Sequence, residues 1–317
     1  MAWRIVQWLA LAALALWSLF VGVADLSAAE LFGGGGESLR ILLTSRVPRL
    51  ASILVAGGSL AISGLIMQRI TQNRFVSPTT AGTMEWCRLG VMAAIIFFPD
   101  APALLRVGSA FAVSLVGTSA FLAFASRIRR SDSVLVPLTG MMLGGVVNAA
   151  ATFFAYQCDI VQNIASWLQG NFSLVICGNY ELLYIGIPFM ALAYLYADRF
   201  TIAGMGRDTS TSLGLDHSAI VRAGLVIVSV VSSITIVGVG NIPFVGLVVP
   251  NIVSIFRGDS VRGMLFDTAW LGAILVLSCD MLGRLLISPY EIPVGIILSV
   301  VGGAVFLALL LGGRRHG

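Results

Sequence analysis

Long apolar runs recur along the whole chain and constrain its fold more than any other feature. Most approach the ~20 apolar residues that an α-helix needs to cross a bilayer. Only 11% of the residues are charged, against about 25% in a typical soluble domain. The sequence predicts an all-α polytopic membrane protein, with residues 1–317 forming one domain of about ten transmembrane helices. The candidate segments are 5–24, 47–67, 82–98, 104–125, 134–157, 180–197, 218–239, 243–256, 265–287 and 293–312.

Two of these segments need separate interpretation. The first, 5–24, is too long for a typical signal-peptide core and is predicted to be a retained helix. The eighth, 243–256, covers only about 21 Å at the helical rise, so a partial or tilted span is expected there.

The distribution of arginine predicts the orientation of the helices. All 19 basic residues are arginine. With the N-terminus inside, thirteen arginines fall in inner loops and tails and four in outer loops. This excess is the positive-inside bias of membrane proteins, so both termini are predicted to be cytoplasmic. The outer four are Arg40, Arg46, Arg49 and Arg106, while Arg88 and Arg284 lie within helices.

Composition also excludes several kinds of function. Without lysine the chain cannot form a Walker A loop, so any ATP must be bound by another chain. The arginines sit in short loops, which does not suggest nucleic-acid binding. No catalytic constellation, metal-ligand spacing or cofactor motif is present, and His217 and His316 are expected to be solvated.

Cys158 and Cys177 fall in one predicted outer loop, where a disulfide is possible.

Two kinds of segment suggest packing and docking. The small residues of 56–64 and 144–151 allow close helix approach in lipid, and packing alone explains most of these glycines. The polar stretch 198–222 is the longest predicted cytoplasmic loop. It is either a solvated linker or two short helices broken by glycine. Its apolar residues Met205 and Leu213 favour a docking surface.

Three long motifs carry a resemblance to a known family. They are "RVPRLASILVAGGSLAISGLIMQ" (46–68), "IPFVGLVVPNIVSIFRGD" (242–259) and "CDMLGRLLISPYEIPVGIILSVVGGAVFLALL" (279–310). In this order they resemble the FecCD or BtuC-like permease subunits of bacterial iron-chelate and cobalamin ABC importers. The resemblance implies a cytoplasmic-membrane permease that works with a second permease chain. It also implies two cytoplasmic ATPase subunits and an extracytoplasmic binding protein.

The departures from the family pattern indicate the substrate class. "NRFVSP" (73–78) and "TTAGTMEWCRLG" (79–90) replace the usual loop and start of the third helix. These segments are similar to the subgroup that handles ferric siderophores of catecholate or mixed-ligand type. Another iron chelate, haem or cobalamin is the alternative cargo.

The resemblance also implies roles for individual residues at the predicted outer face. Arg46, Arg49 and Arg284 correspond to arginines that receive an acidic residue of the binding protein, and arginine forks suit carboxylates. Asp280 lies one helical turn before Arg284, so the two can pair. That pair could instead serve helix packing alone.

At the predicted inner face, residues 203–215 occupy the position of the family's coupling helices. Gly204, Gly206 and Gly214 would set the turns. Met205 and Leu213 would be apolar anchors on the ATPase. Arg207 stands where relatives often have glutamate.

The loop after the second helix would then be a gate at the cytoplasmic mouth of the path. Asn73, Phe75 and Val76 are the candidates for closing it. Glu85 and Arg88, three residues apart on one helix, are predicted first to pair with each other and second to line the path.

An ion-coupled secondary transporter is the competing function. Such proteins usually carry charged residues near the midplane of the membrane. Here the charges within predicted helices are Glu85, Arg88, Asp280 and Arg284, and most lie near helix ends. Dependence on a separate ATPase chain distinguishes the two functions.

Overall fold

The computed structural model describes residues 2–21, 36–79, 82–125, 135–173, 175, 181–287 and 289–313, and its regular elements within these ranges are helices. A single isolated bridge joins Gln169 to Asn241. The α-helices are α1 (Ala2–Phe20), α2 (Gly36–Ile41), α3 (Val47–Thr71), α4 (Thr83–Phe97), α5 (Ala103–Ala125), α6 (Leu135–Gln157), α7 (Val161–Leu168), α8 (Gly186–Leu195), α9 (Ala197–Ala203), α10 (Arg207–Ser212), α11 (His217–Val239), α12 (Val245–Arg257), α13 (Val261–Leu286) and α14 (Val294–Gly313). A π-helical turn, Leu42–Arg46, leads into α3, and a 3₁₀ turn, Glu181–Ile185, leads into α8.

Each of the ten predicted segments coincides with helix in the described part of the chain. Four helical stretches there are long and apolar enough to cross a membrane, namely Ser38–Thr71, His217–Val239, Val261–Leu286 and Val294–Leu311. The eighth predicted segment is α12, a short helix of 13 residues, and its partial or tilted crossing of the membrane stays a prediction. The chain is therefore a multi-pass helical membrane protein.

Helix α3 lies at the centre of the fold, and glycines let its neighbours approach closely. A Cβ on Gly57 would lie 2.7 Å from the carbonyl oxygen of Gly272 on α13. A Cβ on Gly64 would lie 1.9 Å from the carbonyl oxygen of Gly246 on α12. The predicted role of the 56–64 stretch in close packing is confirmed, because no larger side chain fits at these contacts.

Pro250 interrupts the backbone hydrogen bonding of α12, and Gln68 of α3 uses the carbonyl that this leaves available. Proline has no backbone N–H, so the carbonyl of Gly246 lacks its usual partner four residues later. Gln68 Nε2 donates to that carbonyl at 3.4 Å and to the Leu247 carbonyl at 3.2 Å. Gln68 is buried in this position.

Helix α11 packs against α3 and α5 and has well-defined ends. Asp216 is its N-cap, and the Asp216 carboxylate accepts a hydrogen bond from the backbone N–H of Ala219 at 3.1 Å. The helix ends at Gly240, whose φ of 93° lies in a region that favours glycine. Its buried residues join those of α3 and α13 in the main hydrophobic core.

Candidate functional site

Three arginines and two carboxylates converge at the N-terminal end of α3. This arginine cluster consists of Arg46, Arg49, Asp280, Arg284 and Glu291. Arg49 Nη2 lies 2.8 Å from Asp280 Oδ1, and Arg49 Nη1 lies 2.8 and 3.1 Å from the two oxygens of Glu291. Arg284 pairs with Asp280 one turn earlier on α13. The predicted Asp280–Arg284 pair is confirmed.

Helix α1 closes one side of the arginine cluster. Arg46 and Arg284 both donate hydrogen bonds to the backbone carbonyl of Val21, just beyond α1. Arg284 also donates to the Ser18 carbonyl at 3.0 Å. The relative exposure of Arg46, Arg49 and Arg284 is 8%, 8% and 5%, so the three arginines of the cluster are buried.

Glu291 is the cluster member that the sequence reasoning missed. It lies in the loop between α13 and α14, and its side chain is 20% exposed. Burial acts to raise the pKa of Glu291, but the Ser173 hydroxyl and the Arg49 guanidinium together outweigh it, so the pKa lies below its ordinary value. No helical spacing relates Glu291 to Arg49, so only its place in the "SPYEIPVG" motif could have indicated it.

The opposite end of α3 carries the short-helix segment, residues 197–216. It contains α9 and α10, with Gly204, Met205 and Gly206 between them, which confirms the alternative of two short helices broken by glycine. Gly206 has a φ of 109° and Gly214 a φ of 76°, so both turns use backbone conformations that favour glycine.

Two apolar side chains of the short-helix segment project into solvent. Met205 is 62% exposed and Leu213 is 60% exposed, and Arg207 at the start of α10 is also exposed. Beneath them Ser210 is buried. Its hydroxyl has one proton to donate, and the Gly206 and Ile202 carbonyl oxygens lie 2.7 and 3.1 Å from Ser210 Oγ as acceptors. The segment therefore has a buried polar anchor and a mostly polar outer surface that carries two exposed apolar side chains.

His217 corrects one expectation from the sequence. A solvated side chain was predicted, but His217 is only 5% exposed, and its Nδ1 lies 3.2 Å from Ser210 Oγ. The short-helix segment folds back over the start of α11 and covers the ring. His316 and Cys177 lie outside the described residues, and with Cys177 so does the possible disulfide to Cys158.

The proline loop, residues 72–79, follows the C-terminal end of α3. Asn73 Oδ1 accepts a hydrogen bond from the backbone N–H of Phe75 at 2.9 Å, which bends the loop. Phe75 is 55% exposed and packs edge-on against Phe306 of α14 at 6.0 Å between ring centres. Val76 is fully buried. Of the three predicted gate residues, only Phe75 therefore presents a large apolar surface.

Glu85 and Arg88 do not pair with each other, so the predicted pair is wrong. Arg88 Nη1 donates to Asn148 Oδ1 on α6 at 2.6 Å. Glu85 lies against Gly144 on the same helix, where a Cβ would come within 3.1 Å of the Glu85 carboxyl carbon. The small-residue face of α6 leaves room for both side chains to cross to it, so each contacts α6 instead of the other.

No cluster of three His, Cys, Asp or Glu side chains suited to a metal occurs within the described ranges.

The two ends of α3, which carry the two groups of candidate residues, lie far apart. Arg49 and Arg69 are twenty residues apart on one helix, or about 30 Å at the helical rise. The arginine cluster therefore lies about one bilayer core from the short-helix segment and the proline loop.

Comparison with known proteins identifies the family. The FecCD transport family matches residues 10–312. The chain is 50% identical over 298 residues to the "Petrobactin import system permease protein YclN" of Bacillus subtilis (strain 168), covering 94% of each chain. It is 40% identical over 298 residues to the "Petrobactin import system permease protein FatD" of Bacillus anthracis, covering 94% of this chain and 87% of that one.

A solved structure described as an inward-facing metal-chelate type ABC transporter has the same fold. Its TM-score is 0.83, with 22% sequence identity, 97% coverage of this chain and 98% of the other. The family match covers nearly the whole chain and makes it a transport protein rather than an enzyme. The chain belongs to the FecCD transport family.

Proposed function

We propose that this chain is the permease subunit of an ATP-driven importer that carries a ferric siderophore across the bacterial cytoplasmic membrane. The observation that carries the proposal is the arrangement of α3. A buried arginine cluster lies at one end of this helix. At the other end lie a short-helix segment with two exposed apolar side chains and a loop with one exposed phenylalanine. Two relatives named as petrobactin import permeases support the substrate class.

The arginine cluster is the proposed docking site for the extracytoplasmic binding protein. Arg49 is the member best suited to an incoming carboxylate, because its outer partner, Glu291, is part exposed and an incoming carboxylate can take the place of Glu291 on the planar guanidinium. Arg46 and Arg284 add positive charge beside it. Their hydrogen bonds to the backbone carbonyl of Val21 fix the geometry of both side chains.

The short-helix segment is the proposed contact with the ATPase subunits. Met205 and Leu213 supply exposed apolar side chains, and Gly204, Gly206 and Gly214 set the turns that present them. Arg207 would meet a matched charge on the ATPase. This placement requires both termini to be cytoplasmic, as the arginine distribution predicts.

The proline loop is the proposed gate. Phe75 is its exposed aromatic residue, Asn73 shapes the loop and Val76 anchors it in the core. Glu85 and Arg88 face α6, and the Glu85 Oε2 and Arg88 Nε atoms are buried without hydrogen bonds. They are proposed as a polar element of the path wall, which two permease chains with about ten spans each would form together.

Uptake in cells tests the proposal. A strain lacking both this chain and its ATPase is compared with the parent strain on a panel of labelled ferric siderophores, haem and cobalamin. Loss of uptake of one catecholate or mixed-ligand chelate is expected, with recovery only when the chain and its ATPase are both supplied. Recovery without any ATPase, driven by an ion gradient, would favour the secondary transporter. Loss of cobalamin or haem uptake instead would assign that compound, and not a ferric siderophore, as the substrate.

A further inference from the structure

The loop between α12 and α13 contacts the end of α3 and the proline loop through one carboxylate. Asp259 Oδ1 lies 2.9 Å from Arg69 Nη2 and 3.4 Å from Arg74 Nη2. Arg69 belongs to the last turn of α3, whereas Arg74 lies in the proline loop beyond the helix end. One carboxylate oxygen of Asp259 therefore contacts both the last turn of α3 and the proline loop.

The residues directly after Asp259 contact the short-helix segment. The backbone N–H of Val261 donates to Thr201 Oγ1 at 3.0 Å. Arg262 Nη1 donates to Asp198 Oδ2 at 2.6 Å. Since Thr201 and Asp198 both belong to α9, residues 259–262 bridge the short-helix segment and the proline loop.

A cavity separates the parts that this bridge connects. Its volume is about 140 Å³, and its lining includes Arg69, Arg74 and Gly204. Beside the cavity, Asn251 Nδ2 also donates a hydrogen bond to the Arg74 carbonyl of the proline loop at 2.8 Å. The side chains around this cavity are not close-packed against each other, so the surrounding segments can shift without the overlap that a close-packed core would impose.

We propose that Asp259 is the positioning residue through which movement of the short-helix segment reaches the proline loop. The inference rests on the proposed coupling and gating roles of those two segments. Asp259 and Arg74 side chains are 62% and 65% exposed. Such a surface pair adds little to folding stability, so it can break and re-form during a transport cycle.

The test uses the complete importer in proteoliposomes and measures uptake per ATP hydrolysed. D259N should keep ATP hydrolysis but lower this ratio by about fivefold, within the range for residues that carry coupling. D259E retains the carboxylate and should keep the ratio. The double variant D259N/R74Q should be no worse than D259N alone, because D259N already removes the contact to Arg74. An unchanged ratio in D259N, or additive losses, would overturn the inference.

A second readout needs no cargo. Phe75→Cys, in a chain whose native cysteines are replaced by serine, is labelled with a maleimide in the importer complex with and without ATP. ATP should change the labelling rate, and D259N should abolish that change. An equal ATP effect in both chains would overturn the role of Asp259. Absence of any ATP effect, or of ATPase binding, would overturn the proposed gating and coupling and the inference with them.

Discussion

Arg49 and Glu291 lie 242 positions apart in the sequence, yet both carboxylate oxygens of Glu291 contact one guanidinium nitrogen of Arg49. Asp280 accepts a hydrogen bond from the second terminal nitrogen, Nη2. This contact joins the start of α3 to the loop before α14, and it places the least buried carboxylate of the cluster beside the proposed docking surface. Because Arg49 lies between two carboxylates, a test of docking at this position has to keep its positive charge.

Arg49→Lys is the suitable docking variant. Lysine keeps the positive charge but loses the fork, so binding-protein affinity should fall by about tenfold, the usual effect of losing a hydrogen bond to a charged group. Arg49→Glu would instead bury a third carboxylate beside Asp280 and Glu291 and destabilise the fold. The measurement is binding-protein affinity for the reconstituted permease, with the melting temperature Tm as the folding control. Unchanged affinity would remove Arg49 from the docking site.

Glu291→Gln should make a pH-dependent difference to stability. The pKa of Glu291 in the folded protein is lower than its ordinary value of 4.5, so the unfolded chain binds the proton more tightly. The stabilisation by the carboxylate is therefore complete above pH 4.5 and is lost as the pH falls through the lowered pKa.

Tm measured against pH for wild type and Glu291→Gln checks this expectation. The wild type should be more stable at neutral pH, and the two curves should converge below pH 4.5. Ser173→Ala, which removes a hydrogen-bond donor to Glu291, should narrow the difference. Curves that stay parallel into acid would contradict the ion pair.

Gly64→Ala should destabilise the helix packing at the centre of the fold. Its new methyl group would overlap the Gly246 carbonyl oxygen, and overpacking of this kind costs about 1–3 kcal/mol. Gly145→Ala on α6 is the matched control, since nothing lies within 4 Å of its Cβ position. Thermal unfolding in detergent should show a lower Tm only for Gly64→Ala. Equal Tm values would contradict the close contact between α3 and α12.

Met205→Asp should weaken ATPase binding without unfolding the permease. Met205 is 62% exposed, so its replacement leaves the core intact. Loss of an apolar contact at the centre of an interface reduces affinity by about tenfold or more. Co-purification of the ATPase measures the effect, and Ser218→Asp, an exposed change in the first turn of α11, serves as control. Full ATPase retention by Met205→Asp would place the docking surface elsewhere.

Much of the fold follows from local signals in the sequence. The apolar runs located the helices because a membrane-spanning helix needs a continuous apolar stretch. Asp280 and Arg284 were paired correctly because four residues make one helical turn. The glycine turns around Met205 were predicted for the same kind of local reason.

The rest of the site depends on contacts between distant segments. The Arg49–Glu291 contact has no spacing that reveals it. Glu85 and Arg88 satisfied the spacing rule, but the small residues of α6 offered each another partner. His217 lies in a polar stretch of the sequence, but its side chain is buried because the short-helix segment folds over it. Such outcomes require the packing of helices, which residue spacing alone does not determine.

ATP-driven uptake by the purified importer tests the central claim most directly. The chain is reconstituted in proteoliposomes with its second permease chain, its ATPase and its binding protein, and a labelled ferric siderophore is supplied at the binding-protein side. The account predicts that the labelled siderophore accumulates only when ATP is present on the side of the membrane that holds the ATPase. It predicts no accumulation when the ATPase is omitted. Accumulation driven by an ion gradient with no ATPase present would contradict it.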